Sequence, residues 1–148
     1  MITIRQATVA DISGLVNIWR RSVTATHTFL TPNDIDSLVP EAYQGLSVME
    51  VWVAEVDGGP AGFMALQGNM IEALFIDPTY MGRKLGTRLI EHARELRGAK
   101  TELRLDVNEQ NSNALGFYLA KGFKQIGRSE TDNGGRPWPQ LHLILPPA

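Results

Sequence analysis

A strand, a glycine-flanked basic turn and a helix follow one another between Ile71 and Leu96, and this unit limits the fold more than any other feature. Ile71 to Ile76 is an apolar run of strand length that ends at Asp77-Pro78, where proline biases the preceding residue away from helix. Gly82-Arg83-Lys84-Leu85-Gly86 then leads into a helix whose apolar residues Leu85, Leu89, Ile90, Ala93 and Leu96 recur at helical spacing, and Gly98 closes it. Glu102 to Val107 returns to alternation, with Leu103, Leu105 and Val107 against Glu102, Arg104 and Asp106. A chain that switches between strand and helix periods in this way needs a sheet with helices packed on it.

The remaining segments fit that scheme. Ile2 to Ala7 alternates as a strand, and Asp11 is placed to cap a helix with the stripe Ile12, Leu15, Val16, Ile18 and Trp19. From Ser22 to Gly45 the pattern weakens. Pro32 is set to start a short helix and Pro40 to open another turn, so short helices and loops are expected there, shaping a substrate cleft. Val51 to Val56, Gly62 to Gln67, Phe123 to Gly127 and Leu141 to Leu145 read as strands, the first two joined at Asp57-Gly58-Gly59-Pro60. Asn111 or Ser112 caps a helix carrying Ala114, Leu115, Tyr118 and Leu119, stopped by Gly122. The order β-α-α-β-β-β-α-β-α-β-β is that of a mixed α/β sheet covered by helices. Its 148 residues make one domain, since domains run to ~100–200 residues.

Composition narrows the chemistry. The absence of Cys excludes disulfides, thiolate metal sites and a Cys nucleophile. A net charge of −2 gives no global pull towards nucleic acid or an anionic membrane, so any basic feature that matters is local. The apolar runs fall far short of the ~20 residues of a membrane helix, and the start lacks a signal-peptide core. A reducing cytoplasm is the expected location. His27, His92 and His142 show no metal spacing, and no metal is expected.

The turn at 82–88 is a local basic feature. Glycine lets a backbone approach a ligand closely, and the first turn of a helix presents unpaired N–H groups under the positive end of its dipole. With Arg83, Lys84 and Arg88 nearby, Gly82 to Arg88 suits a phosphate or pyrophosphate. A glycine-softened loop with solvated basic side chains satisfies the same pattern, which supports the two readings equally. Neither a Walker loop nor a dinucleotide fingerprint is present.

Two blocks carry a resemblance. The first runs from Leu74-Phe75-Ile76-Asp77-Pro78 through Met81-Gly82-Arg83-Lys84-Leu85-Gly86-Thr87-Arg88 to Ile90. The second runs from Asn108 through Asn111 to Phe117-Tyr118-Leu119-Ala120-Lys121-Gly122-Phe123. In residue types and separation they resemble the GNAT superfamily of N-acetyltransferases, densely from Ala73 to Phe123 and more loosely from first strand to last. The chain departs from the family's Gln/Arg-x-x-Gly-x-Gly/Ala signature, with Met81 for the leading residue and Lys84 for the first glycine.

The resemblance implies a mixed, mostly antiparallel sheet, splayed between two central parallel strands, Ile71–Ile76 and Glu102–Val107, and flanked by helices. It implies an acetyl-CoA-dependent enzyme that transfers acetyl directly to a primary amine of a small molecule, peptide or protein. The pantetheine arm would pair with Leu74, Phe75 and Ile76. The pyrophosphate would rest on Gly82, Arg83, Lys84, Leu85, Gly86, Thr87 and Arg88, with Asn108 and Asn111 alongside. Tyr118 aligns with the family's general acid, against the alternative of a core aromatic. Glu72 and Asp106 are the candidate bases, Glu72 slightly preferred, against solvated strand carboxylates. His27, Phe29 and Trp138 are candidates for the acceptor site. Trp19 and Trp52 suit core packing, and Tyr43 could line a pocket. A homodimer is common among such proteins. A non-catalytic CoA-binding sensor is the competing reading, kept open by Met81 and Lys84.

Overall fold

The computed structural model describes residues 1–148. Seven strands form one sheet: β1 (Ile2–Gln6), β2 (Glu50–Val56), β3 (Gly59–Gln67), β4 (Met70–Ile76), β5 (Leu103–Asn108), β6 (Lys124–Ser129) and β7 (Gln140–Leu145). Their spatial order is β1-β2-β3-β4-β5-β7-β6, with every neighbouring pair antiparallel except β4 and β5. The helices are α1 (Ile12–Thr26), α2 (Pro32–Val48), α3 (Leu85–Arg97) and α4 (Ser112–Ala120). The architecture and element order are those expected.

Two apolar layers hold the sheet. Beneath α3 and α4, Leu85, Leu89, Ile90 and Tyr118 pack on Ile71, Leu103, Leu105 and Leu143. On the opposite face, Leu15, Val16, Ile18 and Trp19 of α1 pack with Ile35 and Leu46 of α2 over Val53 and Phe63. Truncating a fully buried leucine such as Leu89 costs about 2–5 kcal/mol in such an interior.

Local chemistry departs from the sequence reading in several places. Pro40 does not open a turn but lies inside α2. Thr31 and Asp34 form a reciprocal capping box, Pro32 occupies the first turn, and Ile35 and Leu46 anchor the two ends, so one helix spans the break. Pro40 and Asp36 are both exposed, so the carbonyl that proline leaves unbonded reaches water. Asp11 does not cap α1 with its side chain. Its carboxylate accepts from the Thr8 backbone N–H at 2.7 Å and holds Arg5 at 2.8 and 2.9 Å, closing a short 3-10 turn before the helix. Leu96 and Leu119 face solvent rather than the core. His92 falls outside the apolar stripe of α3, which predicts that it faces out, yet it points inward and stacks edge-on against Trp52, with ring centroids 4.4 Å apart.

Candidate active site

β4 and β5 pair only at Met70–Arg104 and Ile71–Leu105. Beyond that point the strands part. The cause lies partly in β4: Leu66 pairs with Ile71 and Ala65 with Ala73, so Glu72 is the extra residue of a β-bulge. A bulge bends its strand and re-aims a side chain. The separation opens a cleft of about 470 Å³ between β4, β5, the start of α3 and α4.

The end of the cleft at the start of α3 is built from backbone. Gly82 has φ +81° and Lys84 φ +62°, a left-handed pair that turns the chain into α3. Lys84 provides no side-chain cap, and the amides of Leu85, Gly86 and Thr87 donate to no acceptor in the chain. An uncapped helix start of this kind suits a diphosphate. The conformation at Lys84 is one in which glycine is at ease, so this departure from the signature alters a side chain and leaves the backbone path intact. Gly86 serves packing as well: a Cβ there would stand 3.1 Å from Phe117 Cζ. Of the expected cofactor residues, Leu74, Phe75, Ile76, Gly82, Lys84, Leu85, Gly86, Thr87, Asn108 and Asn111 line the cleft. Arg83 and Arg88 are exposed and do not line it; the Arg83 guanidinium lies 5.5 Å from the ring centroid of Tyr80, a cleft residue. Asn108 and Asn111 spend their side-chain oxygens on Gln110 N–H (2.9 Å) and Ala114 N–H (3.3 Å), which leaves their NH₂ groups without a partner in the chain.

Tyr118 lies across the cleft on α4. Its ring is buried between Phe117 and Phe123, and its hydroxyl lines the cleft with no partner in the chain. Burial pushes the phenol well above its ordinary pKa, so it stays protonated at neutral pH. Glu72 and Asp106, the first residues past the last parallel pair, both line the cleft. Burial raises the Glu72 pKa, and the negative charge of Asp106 raises it further. Glu72 makes no hydrogen bond, whereas Asp106 Oδ1 is held by His142 Nδ1 at 2.6 Å.

An aromatic row extends from the other end. His27 lines the cleft, with ring centroids 6.5 Å from Phe75 and 5.4 Å from Phe29; Phe29 lies 6.4 Å from Trp138. The three expected acceptor residues are therefore neighbours, although Phe29 and Trp138 stand just outside the cleft lining. Burial lowers the His27 pKa, keeping the ring neutral, and its Nδ1 is 2.8 Å from Thr26 Oγ1. Tyr43 is exposed on α2 and does not reach the cleft, while Trp19 is buried in the α1–α2 layer. Arg136 ties the segment before β7 to α2 through Glu41 at 2.7 Å. Arg21 of α1 holds the buried Asp77, just after β4, at 2.6 Å.

Sequence reasoning passed over Ser22, Thr26, Tyr80, Asn113 and Phe117, which also line the cleft, and the contact of His142 with Asp106. Tyr80, Asn113 and Phe117 lie within the two quoted blocks but carry no assigned role there. The register that sets Asp106 opposite His142 exists because β7 inserts between β5 and β6, and no local pattern announces it.

Residues 23–139 match the model of the acetyltransferase (GNAT) domain. The chain belongs to the GNAT acetyltransferase family. It is an N-acetyltransferase whose acetyl donor is acetyl-CoA. This GNAT chain is 45% identical to the peptidyl-lysine N-acetyltransferase YjaB of Salmonella typhimurium, over 99% of both proteins. It superposes on the solution structure of apo YjaB from Escherichia coli with a TM-score of 0.90 at 42% identity, covering 100% of this chain and 99% of the other. The fold is shared with the PaiA N-acetyltransferase of Thermoplasma acidophilum, solved in complex with coenzyme A, at a TM-score of 0.79 and 24% identity over 97% and 98% of the two chains. No helix of this GNAT chain is long and apolar enough to cross a membrane, and no cluster of His, Asp or Glu has the makings of a metal site.

Proposed function

We propose that the enzyme acetylates the ε-amine of lysine in a peptide or protein by direct transfer within the β4–β5 cleft. One observation carries the reading: an unpartnered phenol, Tyr118, and two carboxylates, Glu72 and Asp106, line the same cleft beside an uncapped helix start. The relatives from Salmonella typhimurium and Escherichia coli named as peptidyl-lysine N-acetyltransferases, 45% and 43% identical, support the acceptor class. The aromatic row supports it too, since His27, Phe29 and Trp138 suit the apolar stem of a lysine while the carboxylates attract its ammonium.

Acetyl-CoA supplies a thioester carbonyl open to attack and a thiol leaving group. The amides of Leu85, Gly86 and Thr87 hold the diphosphate, and the edge of β4 freed from β5 receives the pantetheine arm. A lysine amine has a pKa of ~10.4 and must lose a proton before it attacks. Glu72 takes that proton: it is unbonded, and burial with the charge of Asp106 has made it a stronger base. Backbone N–H groups on the free edge of β4 stabilise the oxyanion. Tyr118 donates its phenolic proton towards the departing sulfur. We also propose that the chain is one domain working in the cytoplasm.

The test offers acetyl-CoA with three acceptors: an N-terminally blocked lysine peptide, a peptide with a free α-amine and no lysine, and a polyamine. Products are read by mass spectrometry and thiol release. Acetylation of the lysine peptide above the other two is expected; preference for either alternative overturns the acceptor assignment.

A further inference from the structure

His142 lies outside the cleft and is held at both ring nitrogens. Nδ1 donates to Asp106 Oδ1 at 2.6 Å, and Nε2 accepts from Ser129 Oγ at 2.6 Å. The three residues come from three adjacent strands, β5, β7 and β6. The backbone makes room for the ring. A bulge at Ile126 sets Gly127 opposite His142, and a Cβ at Gly127 would stand 3.3 Å from His142 Cδ2. A second cavity, of about 270 Å³, is lined by Arg104, Gly127 and His142, and it shares Asp106 with the main cleft. Leu105 also lines both, and of these two Asp106 is the one with a charged side chain between the cavities.

We infer that His142, held by Ser129, is a positioning residue for acetyl transfer, fixing the Asp106 carboxylate where it faces the reacting amine. The inference rests on the carboxylate-pair reading above. An ionised carboxylate offers lone pairs on two oxygens. With Oδ1 committed to Nδ1–H, Oδ2 is the oxygen left for the cleft. An ionised carboxylate only accepts, so the proton sits on Nδ1; the Ser129 hydroxyl then donates to Nε2 and holds the ring so that Nδ1–H stays aimed at Asp106. Nearby charges are engaged elsewhere: Arg104 pairs with Glu102 at 2.6 Å, and Arg128 of β6 with Glu109 and Glu130. From the cleft side, Glu72 is the titratable group that feels Asp106. Without the imidazole, the Asp106 carboxylate is free to turn away from Glu72 into the second cavity, where its charge opposes Glu72 ionisation less.

The test compares pH–kcat profiles of wild type, Asp106→Asn, Glu72→Gln, His142→Ala, His142→Asn and Ser129→Ala, using a lysine peptide, with acetyl-CoA affinity by calorimetry as the control. Asparagine places an amide N–H near the position of Nδ1. His142→Ala should lower kcat by about tenfold, less than the ~10²–10⁴-fold a direct acid–base group contributes. It should move the acidic limb to lower pH, as Asp106→Asn does, with acetyl-CoA affinity unchanged. His142→Asn should recover most of both effects, and Ser129→Ala should give the same shift in smaller measure. A wild-type limb in His142→Ala alongside a shifted limb in Asp106→Asn overturns the inference and leaves the carboxylate pair standing. Equal loss in His142→Ala and His142→Asn with an unmoved limb reduces His142 to packing and also overturns it. A limb unmoved by both Glu72→Gln and Asp106→Asn removes the pair itself and the inference with it. Should His142→Ala fail to fold, Ser129→Ala carries the test, and an unshifted limb there counts against the proposal.

Discussion

In the proposed mechanism one cleft sets two ionisable groups, Tyr118 and Glu72, to opposite tasks. Burial favours the neutral form of both. For a phenol that ordinarily ionises near pH ~10, this keeps the proton in place for donation. For a carboxyl, it moves the proton affinity up from its ordinary ~4.3 towards the working range of a base. Tyr118→Phe should therefore lower kcat by about 10²-fold, the low end for a lost general acid, with acetyl-CoA affinity unchanged by calorimetry. An unchanged kcat in the folded variant would remove the phenol from the reaction. Glu72→Gln should abolish the acidic limb of the pH–rate profile. In the wild type that limb should lie above ordinary glutamate titration, because the group must be ionised to accept a proton and its pKa is raised. A limb that survives the substitution assigns the base elsewhere.

At the scale of elements, the cleft follows from a strand that bulges and a helix that starts uncapped. Much of this was legible. The glycines before α3 mark the helix start that lines the cleft, because helix starts are written in short local patterns. Two side chains from that same pattern, Arg83 and Arg88, nevertheless miss the cleft, since spacing gives position along a helix and not which way an exposed side chain leans. In the α1–α2 region the local pattern misleads: the cost of Pro40 is local and points to a turn, while the burial of Ile35 and Leu46 that outweighs it is tertiary. The His142–Asp106 contact was invisible for the same reason, since it depends on strand order. Lys84→Gly tests the account of the helix start. Removing a side chain held at φ +62° should stabilise the fold by about 1 kcal/mol, read as a rise in Tm, with acetyl-CoA affinity kept within a few-fold because main-chain amides do the holding. A large loss of affinity would give Lys84's side chain the main role. Gly86→Asp should weaken acetyl-CoA binding strongly, by crowding Phe117 and by placing a negative charge at the diphosphate site; retained affinity would move that site.

The whole molecule holds the cleft open by tying α1 and α2 to the sheet around it. Burial opposes ionisation of Asp77, yet the Arg21 guanidinium and the Thr79 amide outweigh it and hold the carboxyl below the ordinary range. Arg5 and the Thr8 amide hold Asp11 lower still. A carboxyl with a depressed folded pKa contributes stability that is complete above its unfolded value of ~3.9 and is lost progressively as pH falls from there through the lower folded value. Thermal stability should therefore drop between neutral pH and pH 3. Arg21→Leu should be about 2 kcal/mol less stable at neutral pH for the lost charged hydrogen bonds, read as a lower Tm, and its drop should be shallower, so that the two proteins approach one another in acid. A parallel pH dependence in wild type and variant would remove the Arg21–Asp77 tie from this account. The proposed function joins these scales in a single arrangement, with backbone amides at the head of α3 gripping the donor and Tyr118 meeting its sulfur. The most direct measurement is a crystal structure of the enzyme with coenzyme A. The account predicts the diphosphate within hydrogen-bonding distance of the Leu85, Gly86 and Thr87 amides and the sulfur beside the Tyr118 hydroxyl. A diphosphate bound away from the start of α3, or a sulfur out of reach of Tyr118, would contradict it.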